Sequence, residues 1–370
     1  MVGLLPLNTR LRHRAATDDM DSHPVAPLEV AQHLLHSRWL GKCADSFHTQ
    51  PHIRPEAHYD DVNSAKVPAM KHLIFSLLMI FSASKTAADY SRDYLDTATL
   101  QTVDAGETSI SYRVFNEGDM NPKLLLVMGL GGAGSAWGDA FIQNVESRGF
   151  EIIVIDNRDT GGSDLFTDWG TPTVWWQILK YELGFSVSAP YTLDDMAGDS
   201  IAVLDAEGHE QVHVMGVSMG GMIAQVLAAN FPNRIKTLTS VMSTTFAPHL
   251  PPPSSAAEDN LRDLAGGDAE TSREELMRQR GFHPESMERH LMAIFKTGDR
   301  TEEVQTITAP TLVLHGSEDP LIPPAHGVHT AEQIAGAQFV LIDGMGHNLP
   351  EPYHDQIVGL MTDHIVAYDQ

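Results

Sequence analysis

The sequence contains very little cysteine and few basic residues. Cys43 is the one cysteine in 370 residues, so neither a disulfide framework nor a CxxC zinc site can form, and no partner for a thiol nucleophile is evident. Lys and Arg number 24 against 49 Asp and Glu, a formal net charge of −25. Nucleic acid and anionic membranes need a basic face, so neither is an expected partner. Neutral or cationic small molecules fit this charge better, although acidity can also serve solubility alone.

A membrane-spanning run is also missing, because the apolar stretch Leu73–Phe81 has only nine residues. It follows Met70 and a lysine, and small residues after it offer cleavage sites. Residues 70–88 therefore have the pattern of a secretory signal peptide, with Met70 as the natural start. We expect the mature protein to be periplasmic or secreted. The alternative is an internal apolar helix packed on the domain of a cytoplasmic protein.

Residues 1–69 show little sustained apolar periodicity. We interpret them as a disordered extension, upstream of a start that has been assigned too early. No stable membrane insertion is expected, and the sequence does not indicate an oligomeric state.

From about residue 98 to residue 370, short apolar runs alternate with helical stretches. Residues 99–118 read as a β-hairpin, and continuous apolar strands separated by helices then predict a mostly parallel sheet of about eight strands, covered by helices on both faces. Residues 165–190 and 244–308 interrupt this alternation. Because they follow strands, at the edge where α/β sheets bind ligands, we expect them to form a lid or small cap.

The stretch LLLVMGLGGAG, Leu124–Gly134, ends in GxGxxG directly after an apolar run. With Asp156 at the end of the run EIIVID, it has both parts of a dinucleotide-binding signature. A glycine-rich turn after a strand can instead bring backbone N–H groups close to a substrate oxygen. A dinucleotide fingerprint normally opens its domain, whereas this one follows a predicted hairpin, so we favour the second interpretation.

The segment VHVMGVSMGGM contains GxSxG at Gly216, Ser218 and Gly220, between a predicted strand and a predicted helix. A serine on such a sharp turn is held in a strained conformation that exposes its hydroxyl, and the flanking glycines avoid collisions with neighbouring backbone. A serine hydroxyl needs a base and an orienting carboxylate to become nucleophilic. Ser218 is therefore the candidate nucleophile.

A candidate acid and a candidate base follow in the order that this architecture uses. Asp319 lies in the loop after the run TLVLHG, and His347 follows the run FVLIDG. Glu318 is an alternative acid, but Asp319 is preferred because a proline-limited turn follows it at once. His315 is interpreted as a packing or hydrogen-bonding residue at the end of its strand.

Five segments, VMGLGG, DNRDTGGSD, GVSMGG, HGSEDPLIP and GMGHNLP, make the chain from about residue 98 onward resemble the α/β-hydrolase superfamily. DNRDTGGS, PYTLDDMA and GMGHNLP look most like bacterial esterases similar to aclacinomycin methylesterase. The resemblance implies Ser218 as nucleophile, Asp319 as acid and His347 as base. The family commonly has His-Gly after its third strand, and Met128 replaces that histidine here.

These residues predict acyl transfer to water, with the backbone N–H groups of Leu130 and Met219 as the oxyanion hole and with neither metal nor cofactor. We expect cleavage of carboxylic esters of small to medium apolar substrates. Lactonases, thioesterases and carbon–carbon bond hydrolases use the same triad and stay open, as does a ligand receptor on this scaffold. Candidate pocket residues are aromatic: Trp137, Trp175, Trp176, Phe246 and Phe295.

Overall fold

The computed structural model describes residues 93–254, 278 and 281–369. The predicted extension (1–69) and the signal-peptide-like segment (70–88) lie outside these residues, as does part of the second insertion. Within the described part of the chain, no helix is both long and apolar enough to cross a membrane.

Eight strands form one sheet, in the order β1-β2-β4-β3-β5-β6-β7-β8. The first two strands form the predicted hairpin, and β2 also pairs antiparallel with β4, while every other pairing is parallel. The strand bounds are β1 Gln101–Asp104, β2 Ser109–Phe115, β3 Lys123–Val127, β4 Glu151–Ile155, β5 Val212–Val217, β6 Ile235–Val241, β7 Thr311–Gly316 and β8 Gln338–Ile342. The predicted fold class is confirmed.

Eight α-helices lie in the described residues. Their bounds are α1 Asp139–Glu146, α2 Val174–Glu182, α3 Leu193–Ala206, α4 Met219–Asn230, α5 Pro284–Thr297, α6 Thr301–Val304, α7 Ala325–Gln333 and α8 His354–Tyr368. The sequence pattern places one helix at residues 330–335, but α7 begins five positions earlier, directly after Pro324. Short 3-10 turns precede α1, α2 and α8.

The sheet separates two hydrophobic clusters, because successive side chains of a strand point to opposite faces. On β3, Leu125 and Val127 belong to one cluster, whereas Leu124 and Leu126 belong to the other. Helices α3 and α4 cover the first face, and α1 and α8 cover the second. Four of the five β3 residues are buried, as expected for a strand covered on both sides.

The two insertions contribute helices on the side of the first cluster. The first insertion contains α2, whose Val174 and Ile178 are buried. The second contains α5, in which nine residues are buried, among them the charged Arg289 and the polar His290. These two helices contact each other, and α5 also contacts α3. The described cap is therefore built mainly from α2 and α5.

Candidate active site

Ser218 occupies the sharp turn between β5 and α4. Its φ of 55° and ψ of −121° lie in a region that residues with a side chain rarely adopt. The neighbouring glycines are required sterically. A Cβ at Gly216 would lie 2.1 Å from the Gly220 carbonyl oxygen, and one at Gly220 would lie 2.1 Å from the Val127 carbonyl oxygen. The GxSxG pattern thus has a packing reason at both glycines.

Backbone contacts hold this strained turn from two sides. The Ser218 N–H donates to the Val241 carbonyl at 2.9 Å, which ties the turn to the end of β6. The Ser218 carbonyl accepts a hydrogen bond from the Ser243 hydroxyl at 2.8 Å and others from the first turn of α4. The position of the serine is therefore fixed by its neighbours, and its hydroxyl remains available to another partner.

That partner is His347, whose Nε2 lies 3.0 Å from the Ser218 hydroxyl oxygen. On the other side of the ring, Nδ1 lies 2.7 Å from Asp319 Oδ2. A carboxylate can only accept, so Nδ1 carries the proton and Nε2 accepts from the serine hydroxyl. The structure brings the three predicted residues together in the order Ser–His–Asp, although 129 positions of chain separate the serine from the histidine.

Asp319 is a fully buried carboxylate with many donors around it. Its Oδ1 accepts the backbone N–H groups of Leu321 and Ile322 at 3.0 and 2.9 Å. Burial alone would raise the pKa of Asp319, but the charge of His347 and hydrogen bonds from His315 and His347 together lower that pKa well below its usual range. The carboxylate is ionised at neutral pH.

The competing candidate acid, Glu318, has an exposed side chain.

Of the two predicted oxyanion donors, Met219 begins α4 and Leu130 lies in a tight turn beside the serine. The Gly132 N–H donates to the Gly129 carbonyl at 3.0 Å, and Gly131 has a φ of 69° whereas Leu130 does not have a positive φ. This combination is typical of a type II turn, which needs glycine at its third position. Among the described residues, neither the Leu130 N–H nor the Met219 N–H donates a hydrogen bond.

The turn approaches Ser218 closely. A Cβ at Gly129 would lie 3.1 Å from the Ser218 Cβ, a distance tighter than nearly all real Cβ contacts. Met128, which stands where the family commonly has histidine, is buried, and its carbonyl accepts from the Asn157 side-chain amide at 2.9 Å. Asn157 therefore holds the start of this turn through the backbone. The chemistry of the Met128 side chain is not needed for that contact.

Asp156 uses both of its carboxylate oxygens in contacts within the chain. One of its carboxylate oxygens accepts the Gly134 N–H at 2.6 Å, and the other accepts the Gly162 N–H at 2.9 Å. Gly134 is the last glycine of the GxGxxG stretch. The carboxylate that resembled a ribose-binding group instead joins the glycine-rich loop to the turn after β4.

Two of the five candidate pocket residues meet in an aromatic cluster, which we define as Tyr181, Phe246 and Phe295. The Phe246 and Phe295 rings pack edge to face with centroids 5.3 Å apart, and Tyr181 packs against both, at 6.0 and 5.1 Å. Tyr181 belongs to α2 and Phe295 to α5. This cluster joins the first insertion to the second.

The three tryptophans lie elsewhere. Trp137 is 3% exposed and stacks on Phe141 at 4.9 Å, within the hydrophobic cluster on the α1 and α8 face. Trp175 and Trp176 are 61% and 48% exposed and pack against each other. They lie on α2, whose buried residues are Val174 and Ile178. The structure therefore gives Trp137 a core position and leaves Trp175 and Trp176 at the surface, apart from the aromatic cluster.

Arg158 and Asp159 each pair with a different partner. Arg158 binds both carboxylate oxygens of Asp199 at 2.6 Å, and Asp159 receives two hydrogen bonds from Arg289 at 2.8 and 2.7 Å. Both contacts brace the loop after β4. The sequence does not single out Arg289, because no local pattern in the cap reveals a contact across 130 positions of chain.

Two family models match the chain. One, described as an alpha/beta hydrolase fold, matches residues 122–275, and the other, described as a TAP-like protein, matches residues 294–366. The first match includes the GxSxG turn, and the second includes Asp319 and His347.

The chain has the α/β-hydrolase fold, and residues 122–275 match the model of that family.

Named relatives and solved structures agree with this family. Rhodomycin D methylesterase DauP of Streptomyces sp. (strain C5) is 28% identical over 288 residues, which cover 66% of this chain and 91% of the relative. A 2-hydroxy-6-oxononadienedioate/2-hydroxy-6-oxononatrienedioate hydrolase of Paraburkholderia phymatum is 26% identical, with coverage of 69% and 91%. The crystal structure of esterase RhEst1 from Rhodococcus sp. ECU1013 matches with a TM-score of 0.55 at 20% identity, over 73% of this chain and 99% of that one. At this identity the structural match shows the fold alone.

In the described ranges, no group of three His, Cys, Asp or Glu side chains is arranged to hold a metal ion. His315 lies beside the acid, with its Nε2 3.4 Å from Asp319 Oδ2. The His315 Nε2 lies 2.7 Å from the Ile322 carbonyl, which fits the packing and hydrogen-bonding role expected for it.

Proposed function

We propose that this α/β hydrolase is a serine carboxylesterase that cleaves esters of small to medium apolar substrates. The observation that carries the proposal is the continuous hydrogen-bond chain from the Ser218 hydroxyl through His347 to Asp319, beside two backbone N–H groups that have no acceptor among the described residues. Relatives named methylesterases and an esterase of the same fold support ester chemistry. The substrate is a small molecule.

In the first half of the reaction, the Ser218 oxygen attacks the ester carbonyl carbon while His347 Nε2 accepts the hydroxyl proton. The carbonyl oxygen becomes an oxyanion and binds the N–H groups of Leu130 and Met219, which lies at the positive end of α4. Asp319 keeps the imidazole oriented and stabilises its positive charge. The carbon–oxygen bond to the alcohol then breaks, and His347 gives its proton to the leaving alkoxide.

In the second half, water replaces the alcohol. His347 accepts a proton from the water as its oxygen attacks the acyl carbon, and the same oxyanion hole binds the new tetrahedral intermediate. When that intermediate collapses, the bond to Ser218 breaks and the proton returns to the serine oxygen. The net reaction consumes one water and releases the acid, and it requires neither metal nor cofactor.

The aromatic residues of the cap favour a substrate with an apolar acyl or alcohol group. The aromatic cluster defined above joins the two insertions, on the same side of the sheet as Met219. We propose Phe246 and Phe295 as pocket residues. The lactonase, thioesterase and carbon–carbon hydrolase alternatives share the triad, so a substrate panel separates them by kcat/KM.

The direct test is labelling of the nucleophile with a fluorophosphonate, because this reagent forms a stable bond to an activated serine. We expect one phosphonyl group per chain, on the peptide that contains Ser218, and loss of p-nitrophenyl ester hydrolysis in proportion to labelling. Mass spectrometry locates the label, and esters of graded acyl length, a lactone and a thioester define the preferred bond. Inactivation without a label on Ser218, or full activity in fully labelled protein, would contradict the proposal.

We further propose that residues 70–88 form a secretory signal and that the mature protein is periplasmic or secreted. The support is the sequence alone: a lysine after Met70, the short apolar run and the small residues that follow it. Mass spectrometry of the protein purified from its native host should find an N-terminus shortly after the apolar run. A native protein that retains residues 1–69 would refute this proposal.

A further inference from the structure

The oxyanion turn receives a contact from the cap. The Gly131 N–H donates to His290 Nδ1 at 3.0 Å, and His290 lies on α5, 159 positions further along the chain. The other ring nitrogen, Nε2, lies 2.8 Å from the Arg158 carbonyl oxygen. Both nitrogens of this fully buried ring are therefore used, one toward the turn and one toward the loop after β4.

These contacts allow a single protonation state. A backbone N–H can only donate, so Nδ1 must be unprotonated, and a carbonyl can only accept, so Nε2 must carry the proton. Burial lowers the pKa of His290, more than the hydrogen bond to the Arg158 carbonyl and the charge of Asp159 raise it, and the nearby Arg289 and Arg158 lower it further. The ring is neutral at neutral pH, as the contact with Gly131 requires.

The Gly131 N–H belongs to the peptide group that follows Leu130, so its direction fixes the plane of that peptide. Leu130 is the second residue of the turn, and its own N–H has no acceptor among the described residues. At the start of the turn, Asn157 holds the Met128 carbonyl. His290 and Asn157 thus hold the peptide groups on either side of the Gly129–Leu130 peptide, which carries the Leu130 N–H.

The position of His290 depends on the cap. Its neighbour Arg289 binds the buried Asp159 with two hydrogen bonds, and Asp159 also accepts from the Tyr191 hydroxyl at 2.5 Å. Asp159 and Arg158 follow one another in the loop after β4, so the adjacent residues of α5 contact adjacent residues of that loop. Helix α5 cannot move away without losing the contact with the oxyanion turn.

We propose that His290 is a positioning residue for the oxyanion hole, through which cap helix α5 completes the turn that directs the Leu130 N–H. This inference rests on the proposed esterase function and adds a dependence of catalysis on how the cap is seated. Its consequence is that a hydrogen-bond acceptor on the cap, outside the triad, sets the rate of the chemical step while contributing little to substrate binding.

The test compares His290→Gln with His290→Met. A glutamine amide offers an acceptor and a donor separated by one carbon, as imidazole does, whereas methionine has similar length and offers neither. We expect the Gln variant to retain most of the wild-type kcat, and the Met variant to lose roughly tenfold to hundredfold in kcat, less than the loss of a whole oxyanion donor, with KM little changed. Rates are expressed per Ser218 labelled by fluorophosphonate, so misfolded protein does not enter the comparison.

A second readout reports the oxyanion hole itself. Ser218 adds to a trifluoromethyl ketone to give a tetrahedral adduct with a charged oxygen, whereas the corresponding alcohol binds without forming one. The Met variant should weaken ketone binding by the same factor as kcat and leave alcohol binding nearly unchanged. A residue that served only the packing of α5 would not change the ratio of the two affinities.

The matched control is His364→Met, because His364 is also a buried histidine bonded to a backbone carbonyl, on α8 at the opposite face of the sheet. It should keep the wild-type kcat and the wild-type ratio of affinities. Equal losses in the Gln and Met variants, or a Met variant with wild-type kcat per labelled serine, would overturn the proposal. A failure of the proposed esterase function would be seen separately, because ester hydrolysis by the wild-type protein would then not depend on Ser218.

Discussion

Replacing Ser218 by alanine should lower kcat for ester hydrolysis by at least about 10⁴-fold, because the triad acts as a unit and loses almost all of its effect with any member. His347 and Asp319 would keep their mutual hydrogen bond, but no oxygen would remain to form an acyl-enzyme. Alanine fits the space of the serine side chain, so the loss should appear in kcat and not in stability. Initial rates with the preferred p-nitrophenyl ester measure the loss of kcat. The detection limit of the assay must lie below the expected residual activity.

The control for this prediction is Ser147→Ala, because Ser147 is an exposed serine at the end of α1 whose hydroxyl donates to the Asn144 carbonyl. It should retain wild-type kcat. Full activity in the Ser218 variant would contradict a mechanism in which Ser218 is the nucleophile. Nicotinamide cofactor binding that survives the substitution would then favour the dinucleotide-binding interpretation of the glycine-rich stretch.

Replacing Arg289 by methionine should have the largest effect on folding, with a loss of about 3–5 kcal/mol in the free energy of unfolding. Asp159 is 0% exposed and Arg289 is 1% exposed, so the substitution leaves a carboxylate buried without its charged partner. Burial would raise the pKa of Asp159, but hydrogen bonds from Arg289, Tyr191 and the Phe166 N–H lower it, so the group is ionised in the folded protein. Urea unfolding followed by linear extrapolation measures the change.

Arg148→Met is the matched control, because Arg148 forms a 3.9 Å ion pair with Asp355 in which both side chains are exposed. Exposed pairs contribute roughly 0–1 kcal/mol, so this variant should unfold almost as the wild type does. Adding Asp159→Asn to Arg289→Met should recover part of the loss, since a neutral amide does not leave a buried charge. An Arg289 variant as stable as the Arg148 variant would contradict the structural role of this pair.

The proposed triad could be predicted from the sequence because each of its members stands where a strand ends. Ser218 carries a local signature, and Asp319 and His347 follow strands of a parallel sheet, whose carboxyl ends share one edge. The choice between Asp319 and Glu318 rested on one proline, and the structure places Asp319 against His347 while leaving Glu318 exposed. Strand order and strand ends therefore predict most of this site.

The cap was not readable in the same way. The pattern predicts that the two insertions cover the site, but it assigned Trp175 and Trp176 to the pocket because they are large and apolar, and both are substantially exposed. His290 and Arg289 carry no pattern of their own, since their partners lie 159 and 130 positions away. How a helix docks on a sheet is decided by such distant contacts, and hydrophobic periodicity does not encode them.

Asp156 supplies a negatively charged acceptor to the glycine-rich stretch, which a nucleotide-binding loop would leave open. A nucleotide-binding loop keeps its backbone N–H groups free so that an incoming pyrophosphate can supply the negative charge. Here the chain supplies that charge itself, since the carboxylate of Asp156 already holds the Gly134 and Gly162 N–H groups, and a Cβ at Gly161 would lie 2.0 Å from it. The Asp156 carboxylate therefore occupies the anion site of this loop. A phosphate could bind there only by displacing a carboxylate that belongs to the chain itself.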